Sequence, residues 1–187
     1  ARIRMKASIK VLLPALVIIA GVAASTTFKQ VQPGEVGIVV NRITGSETIV
    51  DRPGLVMAVP LIQDLYLIDA SPKTLYLEGN ILSPDFTTLP QLTVRANDGS
   101  NFWFQRLTIQ YEIIPEEAST VLHERGSGDA YREWLLPTGR SILRDEFGRQ
   151  STVDVSNPAE YHDATVDARN ELNAALNPHG IRIISVD

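Results

Sequence analysis

Apolar and polar positions along the chain fall into three regimes. From Val11 to Phe28 no charged residue interrupts a mainly apolar run. From Val36 to Ile114 short apolar stretches alternate with polar ones and are punctuated by proline and glycine. After Pro115 the apolar residues recur every three or four positions. The first regime predicts a membrane-length helix, the second a meander of short strands, and the third a set of amphipathic helices.

The run of 18 residues from Val11 to Phe28 would cover about 27 Å as a helix, close to the hydrocarbon thickness of a bilayer. Pro14 sits near its start, where proline costs little helix. Arg2, Arg4, Lys6 and Lys10 precede it. Two readings fit this pairing. One is a retained single-pass anchor with its cations in the cytoplasm, which sends the rest of the chain to the extracytoplasmic side, a bacterial periplasm or a mitochondrial inner-membrane face. The other is a cleaved secretory signal, since Val22-Ala23-Ala24 is similar to a small-residue cleavage site. The retained anchor is the expectation carried forward, with residues 1–30 as tip and span and 31–187 as one domain.

Strands are expected at Val36 to Val40, Glu47 to Val50, Leu55 to Val59, Leu65 to Asp69 and Thr74 to Leu77. Asn97-Asp98-Gly99 signals a hairpin after Leu92 to Ala96. The long alternating stretch Phe102 to Ile114 puts Trp103, Leu107, Ile109, Tyr111 and Ile113 on one face. Arg106, Thr108, Gln110 and Glu112 share the other. Phe102 and Phe104 make the start of that second face apolar, suited to a helix or a neighbouring subunit. Helical spacing then covers Glu116 to Glu124, and a region from Tyr131 to Phe147 expected to kink or break near Pro137-Thr138-Gly139. A third helix has Asn157 as N-cap and Pro158 at its first position. Ile181 to Val186 reads as a closing strand. The whole predicts an α+β domain with a mostly antiparallel sheet.

Charge narrows the function. Beyond residue 30 there are 12 Lys and Arg against all 22 Asp and Glu, a formal net charge of −10. An acidic body argues against nucleic-acid partners and against a domain lying flat on anionic lipid. The chain has no cysteine, which excludes disulfides and thiolate metal sites. No GxSxG, HExxH, Walker A or EF-hand pattern occurs. Gly126-Ser127-Gly128 lacks the third glycine of a dinucleotide loop and reads as a turn. His123, His162 and His179 are scattered and read as surface residues. Glu116-Glu117, Asp145-Glu146 and Asp163/Asp167 read as solvated faces, with Asp145/Arg149 an i,i+4 pair. No catalytic, cofactor-binding or metal-ligating residue is expected, and the chain is read as a non-enzyme.

The order of features carries a resemblance. It runs Val31-Gln32-Pro33-Gly34-Glu35-Val36-Gly37, then Asp51-Arg52-Pro53-Gly54-Leu55, Val59-Pro60 and Leu67-Ile68-Asp69. Leu92 to Gly99 follows, then Tyr111-Glu112-Ile113, Leu135-Leu136-Pro137, Arg140-Ser141 and Arg144. This resembles the SPFH or band 7 family of stomatin, prohibitin and flotillin, nearest in tone to prohibitin-like members. Pro33, Gly34, Gly37, Pro53, Gly54, Pro60, Asp69, Asp98 and Gly99 carry it. The resemblance implies a membrane-anchored, non-catalytic scaffold whose copies form rings or cages that organise a membrane microdomain. Its partners would be the lipid bilayer, further copies of itself or of a sister chain, and a membrane AAA protease under its control. The alternative is an accessory subunit that binds one membrane partner without self-assembly. The resemblance also implies a long heptad-bearing helix after this domain; the sequence stops at Asp187, and is read as the ordered part of a longer chain.

Overall fold

The computed structural model describes residues 27–59, 61–79 and 87–187. Arg2, Arg4, Lys6, Lys10, Val11 and Pro60 lie outside the described residues, as does the apolar run up to its last two positions. Those two, Thr27 and Phe28, open a strand, β1 (Thr27–Val31), and so do not end a helix. The correction has a simple cause. Five consecutive backbone positions from Thr27 find antiparallel partners in β4 (Gly54–Ala58), which local apolarity cannot reveal. Among the described residues no helix is long and apolar enough to cross a membrane.

The first half is strand-built. β2 (Glu35–Asn41) pairs antiparallel with β3 (Glu47–Val50) on one side and β5 (Gln63–Asp69) on the other. β6 (Lys73–Glu78) follows directly and joins a second sheet of order β11-β10-β6-β7. β7 (Thr88–Leu89) is its one parallel member, and β10 (Arg106–Ile113) its centre. β11 (Ile181–Val186) brings the C-terminus back beside β10. β8 (Thr93–Arg95) and β9 (Asn101–Trp103) make a separate hairpin.

Four helices follow β10. A 3₁₀ turn at Pro115–Glu117 leads into α1 (Ala118–Arg125). Next come α2 (Arg132–Gly148), α3 (Thr152–Ser156) and α4 (Pro158–Leu176). Asn157 caps α4 as expected, its side-chain oxygen accepting from Ala159 N, with Pro158 at the first position. α2 and α4 pack against each other and cover one face of the second sheet: Leu135, Leu136, Leu172 and Leu176 meet Leu75, Leu77, Ile109 and Ile183. Val36, Ile38 and Ile68 of the first sheet belong to the same core cluster, and α1 touches β2 and β3. The expected α+β architecture with mostly antiparallel sheets is therefore present.

Three expectations fail locally. α2 runs unbroken through Pro137. Pro137 is exposed while Leu135, Leu136 and Gly139 around it are buried. Its missing N–H costs one hydrogen bond, and buried contacts on the opposite side of the helix hold it together. Second, the stretch Phe102 to Ile114 is two strands, because the chain breaks at Phe104-Gln105. Phe104 turns inward onto Phe147, with ring centroids 4.6 Å apart, and Trp103 is left 66% exposed. Leu107, Ile109, Tyr111 and Ile113 keep the buried face. Third, Glu146 is buried and not on a solvated face. Burial pushes its pKa up even though Arg149 lies 2.9 Å away.

Candidate functional site

The residues carrying the resemblance gather in two places. The first is the turn from β1 to β2. Gly34 takes φ +89°, where a side chain is strained, and a Cβ there would meet Ser71 Cβ at 3.2 Å. Its carbonyl accepts from Ala70 N at 2.8 Å. Asp69 holds that facing turn by accepting from the Ser71 N–H and hydroxyl. Burial works to raise the Asp69 pKa, but those two bonds and Lys73 outweigh it and hold the carboxyl below its usual range. Lys73 in turn reaches Tyr131 Oη at 3.0 Å, tying this corner to the start of α2. Gly37 lies beneath β1, where a Cβ would come within 3.1 Å of Val31 and 3.3 Å of Leu65. Pro33 belongs to the same turn, Pro53 to the exposed turn between β3 and β4, and Gly54 opens β4 opposite Val31.

The second place is the β8–β9 hairpin. Asp98 accepts from Ser100 N at 2.8 Å and from the Ser100 hydroxyl. It also accepts from Thr152 N at 3.2 Å and Thr152 Oγ1 at 3.0 Å, at the first residue of α3. Asn97 donates to Arg149 O at 2.7 Å, and Gly99 supplies φ +83°. Asp98 and Gly99 thus clip a hairpin onto the junction of α2 and α3. The Ser100 and Thr152 bonds hold the Asp98 carboxyl down at about 2 against an ordinary 3.8. A depressed folded pKa gives stability that is full above the ordinary value and is lost as pH falls through the folded one. Wild type should therefore lose hairpin stability between about pH 4 and 2. Asp98→Asn should already lack it at neutral pH and show a flatter acid limb, read as thermal midpoint against pH.

The scattered histidines acquire separate partners. His123 pairs with Glu47 across α1 and β3, and His179 with Glu124 at 2.6 Å. His162 is exposed on α4. Asp145 and Arg149 form their expected pair at 3.4 Å. Among the described residues no group of three or more His, Asp or Glu could hold a metal ion.

A third assembly was not anticipated from sequence. In the β1–β4 ribbon, Phe28 lies opposite Met57 and Gln30 opposite Leu55. Opposed residues share a face, so Phe28, Met57 and Leu55 lie together on the outer one. Val31 and Ala58 on the inner face are buried. The nearby β2–β3 turn adds Ile43, and the β4–β5 connection adds Leu61, with Arg42 N donating to Ile62 O between them at 2.7 Å. These five large apolar residues are 58–84% exposed. Leu61 also takes φ +75°, a region that disfavours bulky side chains. Monomeric soluble surfaces rarely collect apolar side chains this way, and such patches mark interaction sites. In the sequence Phe28 reads as the end of the span and Leu55 as the end of a motif and the start of a strand, neither as part of an exposed apolar face. The signal available was the surplus of apolar residues in Leu55-Val56-Met57 and Leu61-Ile62 beside turns.

The family model for the SPFH domain / Band 7 family matches residues 29–187. The chain belongs to the SPFH/band 7 family. Comparison with curated proteins finds no match. The matched span begins inside β1 and takes in every described sheet and helix. The match therefore includes β4 with Leu55 and Met57 and the last three residues of β1, with Phe28 just before its start. Band 7 proteins are in general membrane-associated scaffolds, and the apolar face lies where the domain meets the preceding apolar run.

Proposed function

We propose that this chain is a membrane-anchored, non-catalytic scaffold that rests the apolar end of its domain on the bilayer and assembles side by side with further copies into a ring or cage. One observation carries the reading: the exposed apolar outer face of the β1–β4 ribbon, entered from the run Val11 to Phe28. Apolar side chains set into the headgroup region gain free energy in proportion to the area they bury there. A span would end in that region and deliver the ribbon to it. The orientation follows from Arg2, Arg4, Lys6 and Lys10, which keep the tip cytoplasmic and the domain extracytoplasmic. Anchoring in one plane raises the effective concentration of copies, and a head-to-tail contact closes into a ring when its rotation permits. Trp103, exposed on the β8–β9 hairpin, is available for such a contact. Phe104, by contrast, is spent in the core. Control of a membrane AAA protease enclosed by the ring is the role proposed for the assembly.

The absence of cysteine makes a direct test clean. Leu55→Cys in the full chain, labelled with a polarity-sensitive dye in nanodiscs, should emit as in an apolar medium and resist iodide quenching. Val153→Cys, exposed on α3, should stay accessible to iodide. A Leu55 label as accessible as the Val153 label would remove the ribbon from the membrane. The native mass of the same nanodisc particle should correspond to many copies. A particle of one or two copies would favour the accessory-subunit reading.

A further inference from the structure

On the inner side of the β1–β4 ribbon, the side that Lys29 and Ala58 share with Val31, lies a cleft of about 230 Å³ lined by Lys29, Arg42, Ala58, Leu61, Gln63, Asp64 and Leu65. Its polar lining has a surplus of donors. Arg42 grips Asp64 with two bonds of 2.6 Å, through Nε and Nη2. That pair consumes the cleft's carboxylate, and the hydrogen bond from Arg42 holds Asp64 below its usual pKa. Arg42 Nη1 takes no part in the pair. Gln63 spends its side-chain oxygen on Val59 N at 3.1 Å, which leaves its amide N–H groups as donors. The Lys29 ammonium has no side-chain hydrogen bond or ion pair among the described residues. Lys29, Arg42 and Asp64 sum to a charge of +1, on a stretch, residues 27–187, whose 13 Lys and Arg against 22 Asp and Glu give a formal net charge of −9. An acidic protein whose concave, donor-rich site holds a cation with no carboxylate partner among the described residues presents a site for an anion.

The apolar surroundings identify the anion's source. Leu61 is both a wall of the cleft and part of the exposed apolar patch. A ligand with a phosphate on Lys29 and hydrocarbon beside Leu61 has the build of a phospholipid. We propose that this cleft binds the phosphate of an anionic phospholipid headgroup, with Lys29 as the charge partner and Arg42 and Gln63 as further donors. The proposal rests on the bilayer-seated reading above. It also tempers the expectation that an acidic body avoids anionic lipid: repulsion acts on the domain as a whole, and this cleft offers one local contact of the opposite sign.

The test uses the full chain in nanodiscs of phosphatidylcholine mixed with phosphatidylglycerol, with retained lipids counted by native mass spectrometry on release. Wild type should retain phosphatidylglycerol in preference to phosphatidylcholine. Lys29→Gln should lower that preference about fivefold, the weight of one lysine against an anionic surface, and Lys29→Arg should restore it. Lipid held by the N-terminal cations is common to all three proteins and cancels. Equal preference in wild type and Lys29→Gln overturns the proposal. So does broadening of the phosphorus resonance of added inorganic phosphate in pure phosphatidylcholine discs without any phosphatidylglycerol preference, since the ligand would then be free phosphate. The Leu55→Cys label separates the two readings. An immersed label without lipid preference removes the cleft assignment alone, whereas a label in water removes the bilayer-seated reading.

Discussion

Phe147→Ala is expected to cost about 3–5 kcal/mol of folding stability, the range for truncating a fully buried phenylalanine. Phe147 has no exposed surface. Its ring meets Phe104 with centroids 4.6 Å apart and stacks on Tyr161 at 6.4 Å. Truncation removes the apolar area and leaves a hole between α2, α4 and the chain after β9. That hole cannot close cheaply. Phe104 is fixed by the bond from its N–H to Leu92 O, and Tyr161 by its place on α4. For a domain of this size the thermal midpoint should fall by about 10 °C. Phe102→Ala is the control, because Phe102 is only half-buried and edge-on to Phe104. Its midpoint should move by a small part of that. Equal shifts for the two variants would mean that the aromatic cluster is not the packed unit described above.

That cluster also marks the limit of what the chain reveals by pattern. Alternation from Phe102 to Ile114 correctly assigns Leu107, Ile109, Tyr111 and Ile113 to the core, because their strand is regular and one face is covered. It misplaces Trp103 because period two assumes an unbroken strand. A ring already waiting at Phe147 makes it favourable to break the strand and bury Phe104. The partner decides, and it lies far along the sequence. Pro137 is the same lesson in a helix: local chemistry argues for a break, and burial on either side of it overrules local chemistry. Asn157-Pro158 is legible because capping is a local transaction between neighbours. The short α3 is legible by the same logic. Ser151 and Asp154 form a reciprocal capping box, spelled out in Ser151-Thr152-Val153-Asp154.

The candidate site was less legible than the fold. The residues that carry the family resemblance are structural: Gly34 and Asp69 lock two turns together, and Asp98 and Gly99 dock a hairpin. The apolar patch depends on Phe28 pairing with Met57 and on Ile43 lying near Leu61. Neither follows from periodicity. Phe28 was hidden further because its apolar neighbours upstream claim it for the span. Lys29, which directly follows the apolar run, lies in β1 and lines a cleft. Function on this domain is thus written on surfaces created by pairing distant segments, while the recognisable motifs maintain the pairing.

Gly180→Ala should be nearly as damaging as loss of Phe147, by a different route. Gly180 ends the 3₁₀ turn after α4 with φ +79°. Its N–H donates to Asn177 O, and its carbonyl accepts from Ile114 N, both at 2.9 Å. It therefore seats the start of β11 against the end of β10. A Cβ here would lie 2.7 Å from Val121 Cγ2 and 2.8 Å from Glu117 O. The carbonyl is backbone at the entry to α1, and Val121 is fully buried, so neither can swing aside. The left-handed backbone adds about 1–2 kcal/mol for any residue with a Cβ, and overpacking about 1–3 kcal/mol more. Gly45→Ala separates the two contributions. Gly45 takes φ +70° in the β2–β3 turn, but nothing lies within 4 Å of its would-be Cβ. It should lose the backbone contribution alone. If both variants shift the thermal midpoint equally, the close approach of α1 to Gly180 carries no weight. A clearly larger loss at Gly180 would show that this approach admits only glycine, and that the junction of β10, α1 and β11 depends on it.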